Sequence, residues 1–480
     1  MAYLPRMGQD PHKAGGSLDR VTPLVAYARG VRLAVEIRAA RGVAALSRLV
    51  GAGAGMTVPG KLLSKLDPGA IDRLAARLPA GTAVISATNG KTTTSAMAAE
   101  ILRPRFRLAH NHSGANLVSG VASTLLAAHD AELGLLEVDE GALPEVLRRV
   151  RPRAVCLGNL FRDQLDRYGE LELIAERWRV AVDELPPATV LVLNGDDPQV
   201  GSLGHGVVYG LDDPAVARPS LQHASDSKYC IRCGTPYLYA AAYVGHLGDY
   251  RCPNCGHARP PLEVVARAVE LVGLERASFD LVTPEGTRRV ELALPGLYNV
   301  YNALGAATLA RALGATADEI VDGLARFSAA FGRFERISIG DKRLLLLLVK
   351  NPAGANEAVR TLVDGGPPRV AVVALNDGIA DGRDVSWIWD VDFEPLLAGL
   401  ETLVATGDRA AELALRFKYG GLDGSRIVVE PDLERALDRG LELTPDGGEL
   451  VALPTYTAML ALQSLVAARG HAKPYWERAA

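Results

Sequence analysis

The chain has 480 residues, 48% hydrophobic, 5% aromatic and 22% charged, with 52 basic against 56 acidic side chains and a formal charge of −4. That length divides into two to four domains with ordinary apolar cores, and the near-neutral balance excludes a basic field for nucleic acid. No apolar run approaches the roughly 18 residues of a membrane span, and Met1–Arg20 lacks the apolar core of a signal peptide. In chain order, Tyr27–Val50 (YARGVRLAVEIRAARGVAALSRLV) comes first. It predicts one or two basic, apolar helices, packed on the first domain or offered to a partner or a membrane surface.

Residues 82–86 (TAVIS) predict a strand and 95–100 (SAMAAE) a helix, with ATNGKTTT (87–94) between them. A strand, a tight Gly-Lys-Thr turn and a helix make a phosphate-binding loop. Backbone N–H groups and the helix N-terminus face the phosphates, the Lys supplies a point charge, and a Thr hydroxyl reaches Mg²⁺. The general G-x-x-x-x-G-K-[ST] pattern is not met, because Ile85 stands where its first Gly belongs, so a coincidental Gly-rich turn stays open at this point. Further strands are expected at 133–138, 153–158 and 189–194, each ending in polar residues at the carboxyl edge of a parallel sheet, where ligands bind. Glu137, Asp139 and Glu140 lie at one such end, and NLFRDQLDRYGE (159–170) brings Asp163, Asp166 and Arg167 to another. Either cluster alone reads as a solvated loop with helix caps; two of them downstream of one phosphate loop favour Mg²⁺ held through its waters. Cys156 falls in an apolar strand and is expected in the core.

Residues 222–262 carry Cys230, Cys233, Cys252 and Cys255 as two C-x-x-C pairs eighteen residues apart, with Gly234 and Gly256 directly behind them. That is the spacing of a zinc ribbon, and four thiolates make the metal structural; disulfides or a redox pair are the other option. A strand pair around 284–287 and a helix from about 299 to 313, opened by YNVYNA, follow. Asn299 and Asn302 there either cap the helix or read a base edge. Phe331-Gly332-Arg333-Phe334-Glu335 offers an Arg to a transferring phosphoryl group. From about 337 a second alternation begins, with strands at 343–349, 369–375, 402–405, 426–429 and 449–453 and helices at 408–418 and 432–442. The expected organisation is an extension with helices over 1–55, an ATP-binding domain over 56–336 and a Rossmann-like domain over 337–480.

Together, ATNGKTTT, the strand into Glu137, NLFRDQLDRYG, Asn299-Val300-Tyr301-Asn302-Ala303 and Gly332-Arg333-Phe334-Glu335 resemble the Mur ligase superfamily. Its members join a carboxylate to an amine through an acyl-phosphate. The four-Cys insertion, KNPAGANE (350–357) and LNDGIADGRDVSWIWDVDFE (375–394) narrow the resemblance. They are similar to the synthetase subunits that amidate the α-carboxylate of D-isoglutamate in lipid II with ammonia from a GatD-like, class-I glutaminase partner. The fold implied is α/β: a Mur ligase-like central P-loop ATPase domain with a zinc-ribbon insertion, plus a C-terminal Rossmann-like ligase domain.

The resemblance implies that Asn89, Gly90, Lys91, Thr92 and Thr93 hold the ATP phosphates, with Thr92 and Glu137 at Mg²⁺. Asn302 lies on the adenine side, Arg333 at the terminal phosphate, and Zn²⁺ on the four cysteines. It implies that Asp384 completes a partner's Cys-His-Asp triad, although Asp377, Asp381 and Asp390 lie close by. It further implies a cytoplasmic enzyme of peptidoglycan synthesis that meets the inner membrane face through a lipid-linked substrate. Three departures stand out: Ala87 replaces the Gly that opens the family's loop, Gln164 replaces a His near a second Mg²⁺, and no Lys occurs in 151–200. The last two weaken a second metal site and suit ammonia better than an amino acid. An amino-acid-adding ligase and a non-catalytic ATP-binding scaffold are the alternatives.

Overall fold

A computed structural model describes residues 57–111, 115–163, 170–222, 225–327 and 333–473, without the side chain of Arg333. The helices expected in 27–50, together with Gln164, Asp166, Arg167, Phe331 and Gly332, lie outside the described residues. Six strands come first: β1 (Thr82–Ser86), β2 (Leu108–His110), β3 (Leu133–Glu137), β4 (Ala154–Leu157), β5 (Val190–Asn194) and β6 (Val207–Leu211). A hairpin, β7 (Leu238–Val244) and β8 (Leu247–Arg251), interrupts the series before β9 (Val264–Val272), β10 (Arg276–Thr283) and β11 (Gly286–Leu292). All but the hairpin join one nine-stranded sheet in the order β11-β10-β9-β6-β5-β4-β1-β3-β2. The sheet is parallel from β2 through β9 and antiparallel from there to its far edge.

β1, β3 and β4 are mostly apolar and buried at every residue, because helices cover both faces of a parallel sheet. On one face the helices Lys91–Leu102 and Leu297–Ala312 share a core with Ala83, Ile85 and Cys156; on the other, Leu143–Val150 and Leu171–Asp183 close over Val84, Leu136 and Val155. Cys156 is buried as expected, and burial pushes its thiol up to about 12, which makes it inert at neutral pH. The helix Leu297–Ala312 is buried almost all round, and small residues let it approach closely: Gly305 lies under the Tyr209 ring.

The second alternation forms a six-stranded sheet from β12 (Arg333–Ile339), β13 (Lys342–Leu347), β14 (Val370–Ala374), β15 (Thr402–Thr406), β16 (Ile427–Val429) and β17 (Glu449–Pro454). Its order is β12-β13-β17-β14-β15-β16, with only the β12–β13 pair antiparallel. The helix Pro352–Asp364, which follows β13, faces the first unit. Its Glu357 carboxylate takes Arg218 at 2.7 Å, and its Arg360 donates to the carbonyls of Tyr243 and Val216, each at 3.1 Å. The carboxyl edges of both sheets therefore meet across one cleft.

Candidate active site

The phosphate loop sits where β1 runs into the helix Lys91–Leu102. Gly90 takes φ +84, and a Cβ there would collide with the Asn302 side chain, so conformation and space both demand glycine. Ala87 is accommodated from the side: its methyl lies where residue 158 is glycine, 2.9 Å from the position a Cβ at Gly158 would take. Lys91 is buried and donates to the Ala87 carbonyl at 3.0 Å and to Glu140 Oε2 at 2.8 Å. Burial alone would push its pKa down, but the carboxylates of Glu140, Asp139 and Glu137 outweigh it and hold the ammonium above its ordinary value. Glu140, likewise buried, is held below the carboxylate range by Lys91 and Lys350 against the opposing effect of burial.

Thr92 Oγ1 donates to Glu137 Oε1 at 3.0 Å, and Asn116 Nδ2 reaches the same oxygen at 3.3 Å. Asn111 fixes the strand end by bonding both the N–H and the C=O of Glu137. A hydroxyl and an oriented carboxylate converging at a phosphate loop are hard oxygen donors, a set that fits Mg²⁺. Asn302 accepts from Thr94 Oγ1 at 3.3 Å and donates to Asn299 Oδ1 at 3.1 Å; Asn299 in turn donates to the Pro295 carbonyl. Loop and Asn302 thus lie against one cavity, which Tyr298, Tyr301, Phe334, Lys350 and Gly354 complete from the two sheets.

Two contacts on this cavity were not expected from the sequence. The Asn89 and Asn351 amides bond each other reciprocally, at 3.2 and 3.0 Å, while Asn351 Oδ1 also caps the helix Pro352–Asp364 through Gly354 N–H at 2.9 Å. Lys350 forms an ion pair with Asp163, whose buried carboxyl is raised by burial and pulled back by Lys350. KNPAGANE was the only signal for either contact, since the pairing partner lies more than 180 residues away.

The four cysteine sulfurs lie within 4.8 Å of one another, with the pairs 230–255 and 233–252 each at 3.5 Å. Gly234 (φ +71) and Gly256 (φ +75) turn the knuckles, donating back to the carbonyls of Cys230 and Cys252. The convergence fits a closed tetrahedral thiolate site. The aromatic rings of Tyr237, Tyr250 and His257 pack beneath it.

The acids of 375–394 separate by their partners. Asp381 is buried and accepts from Thr457 N–H and Oγ1, Asp377 pairs with Arg409, and Asp390 lies 3.4 Å from Arg162. Asp384 is exposed and, among the described residues, bonds within its own turn, accepting from Ser386, which holds its carboxyl below the ordinary value.

A phosphate loop facing an Asn-bearing helix across a cleft closed by a second α/β unit defines a Mur-type ATP-dependent ligase. Family models agree: the Mur ligase middle domain matches residues 85–232, and the MurT ligase C-terminal model matches 348–459. The chain is 35% identical to the Streptococcus pneumoniae lipid II isoglutaminyl synthase (glutamine-hydrolyzing) subunit MurT, over 88% of this chain and 94% of that one. It is 33% identical to the Staphylococcus aureus subunit of the same name, over 86% and 93%. The chain belongs to the MurT family. Among solved structures, a pseudomurein peptide ligase type C from Methanothermus fervidus superposes with a TM-score of 0.67 at 22% identity, covering 85% of this chain and 84% of that one. MurF from Acinetobacter baumannii superposes with a TM-score of 0.62 at 20% identity, covering 85% and 80%, and shares the fold. Among the described residues, no helix is long and apolar enough to cross a membrane.

Proposed function

We propose that this chain is the synthetase subunit of a lipid II isoglutaminyl synthase, converting the D-isoglutamate α-carboxylate of the stem peptide to the amide with ammonia from a GatD-like glutaminase. The observation that carries the reading is the 35% relation to a subunit of that name along nearly its whole length. The stem-peptide carboxylate attacks the γ-phosphorus of ATP in line, and ADP leaves. Lys91 and the Arg333 side chain offset the charge spreading over the transferring group. Thr92 and Glu137 would hold Mg²⁺, which would supply positive charge against the phosphates when bound. Ammonia then adds to the acyl-phosphate carbonyl, phosphate departs with the C–O bonding pair, and the nitrogen loses a proton. Asn302 would face the adenine, and the Asn89–Asn351 pair supports a closed cleft that keeps water from the acyl-phosphate. Zn²⁺ on the four cysteines would be structural.

The partner face is proposed around Asp384. An exposed carboxylate that, among the described residues, bonds only to Ser386 in its own turn can orient a partner's His, whereas Asp377, Asp381 and Asp390 are each engaged with other elements of this chain. Ile379, Trp389 and Tyr419 are exposed on the same unit, and the last two rings stand 6.2 Å apart, an apolar surface suited to a protein partner. The enzyme would work in the cytoplasm, at the inner membrane face where lipid II is presented.

Co-expression with a glutaminase partner tests the reading. Wild type should yield amidated lipid II. Lys91→Ala should lose synthesis but keep glutamine hydrolysis, and Asp384→Asn should lose hydrolysis. Full hydrolysis in Asp384→Asn would remove the triad role, and absence of amidation in the wild-type complex would remove the activity.

A further inference from the structure

A second groove opens on the far side of the Glu137–Glu140 turn, some 670 Å³ in volume. Lys61 and Lys65 from the helix Val58–Leu66 and Arg177 from the helix Leu171–Asp183 line it. All three are exposed, and among the described residues none has a carboxylate partner. Leu117, Val118 and Ser119 form its floor and begin the helix Val118–Ala127, a ten-residue helix whose N-terminus has no side-chain cap. The Ser64 hydroxyl, also on the groove, is buried without a hydrogen-bond partner. Of the two acids present, Glu145 is paired with Arg149 and Asp139 caps its own turn through Gly141 N–H.

The fold builds this cluster from close contacts. Gly60 meets Ser119 where no Cβ would fit, and its N–H donates to Ser123 Oγ at 2.8 Å, which seats Lys61 and Lys65 over the open helix end. Trp178, the neighbour of Arg177, donates to the Glu140 carbonyl at 3.0 Å. Asn116, the neighbour of Leu117, bonds the Glu137 carboxylate. The groove and the phosphate loop are therefore two sides of one turn.

We infer that this groove binds the diphosphate of the sugar-diphosphate substrate, and the inference rests on the proposed function only for the identity of that substrate. Three unpaired cations and an uncapped helix N-terminus form a site for a polyanion, since backbone N–H groups and the helix dipole add to the side-chain charge. Leu117 is exposed on the groove and, with Val118, gives it an apolar floor for an isoprenyl chain to lie against. Two stem residues span only about 7 Å when extended, so a diphosphate anchored here leaves the sugar and its peptide to reach the loop around the turn.

The test is calorimetric, on the full complex saturated with ADP, so that the nucleotide site is filled. The probes are farnesyl diphosphate, a UDP-linked muramoyl-dipeptide and a diphosphate-free muramoyl-dipeptide. Wild type should bind both diphosphates. The double variant Lys61→Ala/Lys65→Ala and the single variant Arg177→Ala should each bind them at least about tenfold more weakly, the effect of losing one or more charge-assisted contacts. Both variants should bind the diphosphate-free dipeptide as wild type does. Stronger binding of farnesyl diphosphate assigns the site to a lipid-linked substrate, and stronger binding of the UDP compound to a nucleotide-linked one. Unchanged diphosphate binding in both variants overturns the inference. So does an equal loss for the diphosphate-free dipeptide. A complex that binds diphosphates as described yet forms no amide with ammonia would overturn the proposed function alone.

Discussion

Lys350 and Asp163 show what a single pair does at this cleft. Among the described residues Asp163 Oδ1 is buried without a hydrogen-bond partner; burial raises the carboxyl's pKa, and Lys350 opposes that rise by favouring the charged form. Removing one member of a buried pair leaves an uncompensated charge and costs about 3–5 kcal/mol. Lys350→Ala should cost most at neutral pH and above. The raised folded pKa means that protonation relieves the strain as pH falls, so the cost should shrink on acidification. Denaturant titrations near pH 7 and pH 5 would check this, and Lys350→Ala/Asp163→Asn should recover most of the loss; an equal cost at both pH values would overturn it. Gly158 bears on the neighbouring substitution, Ala87. A methyl at 158 would press on the Ala87 methyl in a packed sheet, so Gly158→Ala should destabilise by about 1–3 kcal/mol, and Gly158→Ala/Ala87→Gly should restore stability.

At the scale of the element, the cysteine hairpin carries a consequence for the ligase site. Its knuckles converge four sulfurs, and the adjoining β7 supplies the Tyr243 carbonyl that receives Arg360 from the helix over the cleft. Metal binding and folding of such a module are one equilibrium. Chelation, or Cys252→Ser, should therefore lower the melting temperature and raise the KM for ATP, with about one zinc per wild-type chain by metal analysis. Metal-free protein with unchanged melting and KM would refute a structural zinc. The cysteine spacing and turn glycines made the convergence of the four sulfurs legible in the sequence. The hairpin's seat was not, because it depends on Arg360 and on the Arg218–Glu357 pair, which spans 139 residues.

The whole molecule follows the same division. Short, mostly apolar runs such as Thr82–Ser86 and Val370–Ala374 announced their strands because both faces are buried, and the placement of Lys91, Glu137 and Asn302 about one loop was legible because a strand end or helix start fixes each of them. The three-residue β2 and the partly exposed β6 carry little periodicity and emerged only with the sheet around them. Closure of the cleft was least legible of all. Besides the ion pairs between the units, it uses two asparagines 262 residues apart, and a lone Asn before Pro reads first as a helix cap. Asn351 is both cap and clasp, and the two roles can be separated. Serine retains an N-cap acceptor but cannot return the amide bond to Asn89, so Asn351→Ser should leave helix stability within a few tenths of a kcal/mol. Loss of a paired amide hydrogen bond is worth about 1 kcal/mol, and it would fall on the closed state alone. The expected outcome is a KM for ATP about fivefold higher, faster loss of acyl-phosphate to water, measured as ADP formed per amide, and an unchanged melting temperature. Asn89→Ala should reproduce the uncoupling, and the double variant should be no worse than Asn89→Ala alone, because Asn351→Ser removes a contact that Asn89→Ala has already lost.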